Sequence, residues 1–233
     1  MARKIIISDD RNEFLLLQTL KATAKRQSRR DGFQAIGRAF VIEKLIDRLN
    51  SLSPMSEVLK GRIRSLAKIT TCRKGDFILK EGQVCNKVCL VLKGLARFYY
   101  VNEGNEITSR FMDEGTIITS WISYYTQKPG NEFIEALEDS TLACVDYPDI
   151  QRLYSDFPEF NIIGRRQVEY AFYLAEQRTQ MLRKHTAEEK YKFFLDNHPT
   201  LLQRVPLKHI ATYLGMNEET LSRVRTKFHK KNS

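Results

Sequence analysis

The 233-residue chain has few of the residues that build covalently stapled or metal-held folds. Its four cysteines, Cys72, Cys85, Cys89 and Cys144, form no C-x-x-C pair, and they read as buried, reduced thiols. Its four histidines, His185, His198, His209 and His229, all lie in the last fifty residues. A metal or haem site in the middle of the chain would therefore lack imidazole ligands. No apolar run approaches the roughly 18 residues needed to span a bilayer. The stretch Ile5-Ile6-Ile7 is too short for a secretory core, so the expectation is a cytoplasmic protein with no membrane partner. Also absent are G-x-S-x-G, H-E-x-x-H and G-x-x-x-x-G-K-[ST] patterns. The paired acids Glu188-Glu189 fit the first turn of a helix better than an acid–base couple. No catalytic residue, metal ligand or enzymatic activity is expected.

Positive charge is abundant but uneven. Residues 1–40 carry 9 Lys/Arg against 4 Asp/Glu, residues 41–182 carry 18 against 19, and residues 183–233 carry 11 against 5. A neutral middle with basic ends suits a polyanion binder, because neutralising phosphates requires clustered cations. A solvated charged surface would look the same from charge alone.

The hydrophobic period changes along the chain. Residues 1–40 form a basic extension, with helical spacing at Phe14, Leu17, Leu20 and Ala24. Val41, Leu45, Ile46 and Leu49 mark one helix face, and a second helix is expected from Ser53-Pro54 with Leu59, Ile63 and Leu66 on its face. From about residue 70 the period is two. Strands are expected at 88–92, 95–101, 107–112, 132–137 and 141–147, separated by turns at Gly75, Gly82, Gly94, Gly104 and Gly115. Short strands at this spacing argue for an all-β sandwich or roll. Pro158 to about Lys184 reads as one long helix, with Phe160, Ile163, Tyr170, Leu174 and Met181 on a stripe that also holds Gln167 and Gln177. Such a stripe packs on the roll or on the same helix of a second subunit. Thr186-Ala187-Glu188-Glu189 is a capping box opening the next helix.

Pro206 to Phe228 is the most informative stretch. Ala211 is small where a second helix would cross, and Gly215 sits where a sharp turn needs positive φ. Asn217 can cap the following helix, on which Leu221 and Val224 face inward. This is helix-turn-helix spacing, and an ordinary αα-hairpin is the alternative. The outer face carries Glu219, Thr220, Ser222, Arg223 and Lys227. Arg223 can pair with guanine O6 and N7, Glu219 can accept from the cytosine amino group, and Lys227, Lys230 and Lys231 suit phosphates. Asn217, Glu219, Thr220, Ser222, Arg223 and Lys227 are the candidate DNA-binding residues; Ala211, Gly215, Leu221 and Val224 are the candidate scaffold.

The order of parts resembles the CRP/FNR family of bacterial transcription regulators, over roughly residues 41–230. Lys74-Gly75-Asp76, Lys80-Glu81-Gly82, Leu92-Lys93-Gly94, Asp113-Glu114-Gly115 and Ala136-Leu137-Glu138-Asp139 fall where that family places turns and a late strand. Glu219-Thr220-Leu221-Ser222-Arg223 is similar to the E-x-x-S-R recognition motif of the FNR-like branch. The resemblance implies an α+β chain: a basic extension (1–40), a double-stranded, jelly-roll-like sensor β-roll (41–150), a long dimerisation helix (151–185) and a C-terminal helix-turn-helix domain (186–233). It implies a homodimer on a palindromic double-stranded DNA site with TTGA-like half-sites, with RNA polymerase and a small-molecule effector as further partners. The family's cyclic-nucleotide cassette falls on Thr119, Ser120, Gly130 and Asn131, which lack the ribose carboxylate and the phosphate-binding Arg. Tight cyclic AMP binding is therefore not expected, because a buried phosphate without a cation is costly. With no cysteine before Cys72 and no histidine in the sensor region, neither an iron–sulfur cluster nor haem is expected. The effector stays unassigned. Trp121, Tyr124, Tyr125 and Phe133 either line an apolar pocket or, the favoured reading, fill the roll. The competing reading of the whole is a ligand-sensing roll whose C-terminal helices bind a protein partner.

Overall fold

Alternation in the middle of the chain produces two antiparallel four-stranded sheets. The computed structural model describes residues 29–232, so the expected extension is described only from Arg29 onward. The first sheet orders β1 (Lys68–Cys72), β8 (Ser140–Asp146), β3 (Lys87–Lys93) and β6 (Ile117–Ile118). The second orders β2 (Phe77–Leu79), β7 (Phe133–Ala136), β4 (Ala96–Asn102) and β5 (Asn105–Met112). Successive side chains on a strand point to opposite faces. In β3, Cys89 and Val91 turn into the space between the sheets while Leu90 turns out, and in β8 Leu142 and Cys144 turn in while Ala143 and Val145 turn out. Phe98, Ile118 and Ile134 complete the interior of this roll. Gly94, between β3 and β4, has φ 98°, and a Cβ there would meet Ser140 Cα at 2.8 Å. Glycine is required at that crossing for both conformation and space.

Cys89 and Cys144 are directly opposed across β3 and β8, and they are joined as a disulfide. The expectation of four reduced thiols is corrected: the strand register brings together two cysteines 55 residues apart. Cys72 and Cys85 are free.

The outward face of the first sheet is covered by helices. α1 (Arg29–Asn50) buries Ile42, Leu45 and Ile46, and α2 (Glu57–Leu66) buries Leu59 and Ile63. α2 starts later than the Ser53-Pro54 signal suggests, because Ser56 is its cap: its Oγ accepts from the Leu59 N–H at 3.2 Å. α3 (Trp121–Thr126) packs on the roll through Tyr124, and α4 (Tyr147–Asp156) leads into α5 (Pro158–Lys184), the long helix.

The α5 stripe does not act as one seam. Phe160 and Ile163 pack into the helical layer over the first sheet, and Met181 packs into the C-terminal core. Between them Val168, Tyr170, Phe172, Tyr173 and Leu174 stay exposed, Phe172 at 70%. The aromatic expectation is also corrected in part. Phe133 stacks on Tyr99 with centroids 5.0 Å apart, and Tyr124 is half-buried, but Tyr125 is 88% exposed and fills nothing. It lies on the outer side of α3, one turn from Ile122, which is also exposed.

The remaining helices are α6 (Ala187–Asn197), α7 (Leu201–Arg204), α8 (Leu207–Tyr213) and α9 (Glu218–Asn232). Their core of Tyr191, Phe194, Ile210, Leu214 and Leu221 continues onto Leu95, Phe111 and Leu137 of the roll. The order through the molecule is thus helices, first sheet, second sheet, C-terminal helices.

Candidate nucleic-acid interface

Local chemistry sets the start of each C-terminal helix. Thr186 and Glu189 form the full capping box of α6: the Glu189 N–H donates to Thr186 Oγ1 at 3.4 Å, and the Thr186 N–H donates to Glu189 Oε2 at 2.8 Å. At the end of α8 the Met216 N–H donates to the Ala211 carbonyl at 3.0 Å, and Gly215 takes φ 64°. A β-carbon at Gly215 would be strained in that conformation and would press on Leu182 Cδ2 at 3.2 Å. Asn217 then opens α9, its Oδ1 accepting from the Thr220 N–H at 2.8 Å. The Asn217 side chain works as a cap, so it is not free to hydrogen-bond a base through that oxygen.

The scaffold residues are buried together. Ala211, Leu221 and Val224 pack with Tyr191, Phe194 and Ile210, and Tyr191 meets Phe228 edge-on at 5.5 Å. Burying this side of α9 turns the opposite side to solvent. Glu219, Ser222, Arg223, Thr226, Lys227 and Lys230 are exposed there, and Thr220 is half-buried at the edge. Ser222, Arg223, Thr226, Lys227 and Lys230 line one shallow groove along the helix. Arg223 lies 3.8 Å from Glu219, one turn back, and Lys227 pairs with Glu188 of α6. Thr226 was not anticipated from the sequence, although its spacing of four from Ser222 puts it on the same face.

How the C-terminal helices are held on the roll was not legible in the sequence. Arg204, the last residue of α7, makes paired hydrogen bonds to both Glu114 and Glu138 of the roll, at 2.8–3.0 Å. The ion pair holds Glu138 below the usual carboxylate range and raises the Arg204 guanidinium. In α8, Thr212 Oγ1 donates to Thr108 Oγ1 of β5 at 2.9 Å. Arg97 of β4, only 1% exposed, donates to Thr108 at 2.9 Å and to Glu106 at 2.6 Å. Arg178 of α5 donates to the Thr108 carbonyl at 3.1 Å and stacks 3.9 Å from the Tyr213 ring. His209 of α8 is buried near this seam. Burial, then Arg97 and Lys208, push its imidazole down to about 4, against the pull of Glu106.

Among the described residues, no helix is long and apolar enough to cross a membrane, and no cluster of three or more His, Cys, Asp or Glu could hold a metal.

Comparison with known proteins matches this architecture. Residues 69–157 match the cyclic nucleotide-binding domain family. FixK2 from Bradyrhizobium japonicum superposes with a TM-score of 0.61 at 20% identity, over 71% of this chain and 86% of that one. A regulator of the CRP/FNR family from Eubacterium rectale superposes at 0.61 and 19% identity, over 76% and 85%. A CooA mutant from Carboxydothermus hydrogenoformans superposes at 0.58 and 22% identity, over 76% and 80%. No curated protein sequence matches the chain. The chain has a cyclic-nucleotide-binding-type roll and the fold of CRP/FNR-type transcription regulators.

Proposed function

We propose that this chain, built on the CRP/FNR-type fold, is a sequence-specific DNA-binding transcription regulator that acts as a homodimer on a palindromic site. The observation that carries the reading is the solvent-facing row Ser222, Arg223, Thr226, Lys227 and Lys230 on α9, opposite a face buried in the C-terminal core. A helix so placed can enter a major groove, with Arg223 at base edges and the lysines toward phosphates. The Glu219–Arg223 contact can hold the guanidinium ready without consuming its five donors. Dimerisation would use the exposed middle of α5. Tyr170, Tyr173 and Leu174, at i, i+3 and i+4, form an exposed apolar patch that a second copy of the helix would cover. Two readers would then face half-sites about one helical turn apart. The seam of Arg204, Thr212 and Arg178 against the roll would transmit the state of the roll to the reader. No metal, haem or cluster enters this reading.

The test is selection of DNA from a random duplex pool by the wild-type protein and by Arg223→Ala. Wild type should enrich a palindrome. Arg223→Ala should keep its melting temperature and lose one base preference per half-site, worth about 1–3 kcal/mol. Enrichment of no sequence by wild type, together with specific retention of a protein by α9, would favour the protein-binding reading instead.

A further inference from the structure

The cyclic-nucleotide cassette positions lack their arginine, yet the roll does hold a partly buried cation beside them, and it comes from another strand. Arg110 of β5 lies opposite Phe98 in the β4–β5 register, and its guanidinium stacks 4.1 Å from the Phe98 ring, on the inner face of the second sheet. Its Nη2 donates to both carboxylate oxygens of Glu132, at 3.0 and 3.2 Å. Ser120 Oγ, at a cassette position, donates to Glu132 Oε2 at 2.8 Å. Ser120 is fully buried, and the Arg110 and Glu132 side chains are 24% and 15% exposed. Gly130, another cassette position, backs onto Ser120 and Ser123, and its carbonyl accepts from the Gly82 N–H at 2.8 Å. A guanidinium and a hydroxyl converging on two oxygens is how a protein holds a carboxylate or a phosphate. Here the anion belongs to the chain itself. The Ser120 N–H meets Cys85 Sγ at 3.5 Å, and the cavity that Cys85 lines with Lys87, Thr119, Ile78, Ile118 and Ile134 measures about 20 Å³, room for about one water.

We propose that the roll is self-liganded: the Glu132 carboxylate occupies the anion subsite made by Arg110 and Ser120, so the wild-type roll takes no external phosphate or cyclic nucleotide. A tethered carboxylate competes at a high effective concentration, millimolar or more for a short connection. An incoming phosphate would also have to sit beside the carboxylate it displaced, two like charges in a partly buried site. Removing the carboxylate leaves Arg110 without its anion and should convert the subsite into one for external anions. This inference concerns the roll alone and stands whether or not α9 reads DNA.

The experiment measures melting temperature and calorimetric binding with inorganic phosphate, cyclic AMP and cyclic GMP as separate probes, at constant ionic strength with chloride as the reference. Wild type should respond to none of them. Glu132→Ala should melt lower in chloride, recover in phosphate, and bind phosphate at least ten-fold more tightly than wild type. A cyclic nucleotide that outperforms phosphate would show that the purine has room once Glu132 is gone. Arg110→Met/Glu132→Ala, which removes both charges, should show no anion response. If Glu132→Ala does not fold in chloride, it is refolded in phosphate beside Glu132→Gln, which keeps the side-chain shape. Rescue by phosphate, or an anion response in Glu132→Gln, supports the proposal. Cyclic-nucleotide binding by wild type overturns it. So does an absence of anion response in both single variants, or an equal response in the double variant.

Discussion

On the inner face of the second sheet, Arg110 finds a carboxylate and an aromatic ring within the roll, and among the described residues no fully buried side-chain nitrogen or oxygen of Arg110, Glu132 or Ser120 lacks a partner. On the outer face, Arg97 of β4 and Arg178 of α5 lie at the seam with the C-terminal helices, and each keeps one buried nitrogen, Arg97 Nη2 and Arg178 Nη1, with no partner. A buried donor left unmet costs about 1–3 kcal/mol. The same sheet therefore has one face closed by its own residues and one whose polar groups are incompletely met. The inner face behaves as permanent structure. The outer face, against which the C-terminal helices dock, is expected to be the seam that opens first when the molecule is perturbed.

The inner face should give the largest effect. Arg110→Ala leaves Glu132 half-enclosed without its cation, and breaking such a pair from one side costs about 3–5 kcal/mol. Urea unfolding at pH 7 checks this; a loss under 1 kcal/mol would mean that water already satisfies Glu132 and that the two faces are alike. The outer face should respond to pH. The His209 imidazole is held near 4 in the folded protein, below its ordinary 6.5. Its contribution is complete above 6.5 and is lost as pH falls from 6.5 toward 4, because the unfolded chain takes up the proton first. Stability should drop by on the order of 2–3 kcal/mol across that window, and His209→Gln should flatten the slope. His198, pushed down by burial beside the same helices, shifts in the same direction and will leave part of the slope in place. The smallest effect on global stability should come from Arg204→Ala, about 1 kcal/mol, because its pairs with Glu114 and Glu138 are partly exposed. Its local effect should be larger: amide exchange in β5 and α8 should quicken while exchange in β3 and β8 does not. Unchanged exchange in β5 would show that the apolar contacts of Phe111 and Leu137 alone hold the C-terminal helices in place.

Much of the fold could be read in the chain because it depends on neighbours in sequence. Alternation in 88–92 and 141–147 placed β3 and β8, and their inward and outward residues follow from a period of two. The capping box at Thr186 and the turn at Gly215 are likewise local devices, and so is the exposed row on α9 once Leu221 and Val224 are taken as its buried face. Ser56 displaced Ser53-Pro54 as the cap of α2 because its hydroxyl also reaches Glu159 of α5, at 2.6 Å, a contact 103 residues away in the chain.

What the sequence determined by itself was the class of each segment, the C-terminal helix–turn–helix spacing and the face of α9 that meets solvent, since helix and strand periods and cap chemistry act over a few residues. The tertiary structure alone decided which groups distant in the chain become partners: Cys89 with Cys144, Arg110 with Glu132, and Arg204 with Glu114 and Glu138. Such pairings depend on sheet register and on how layers dock. A side chain's identity shows that it needs a partner, but only the packed fold shows which partner comes within reach.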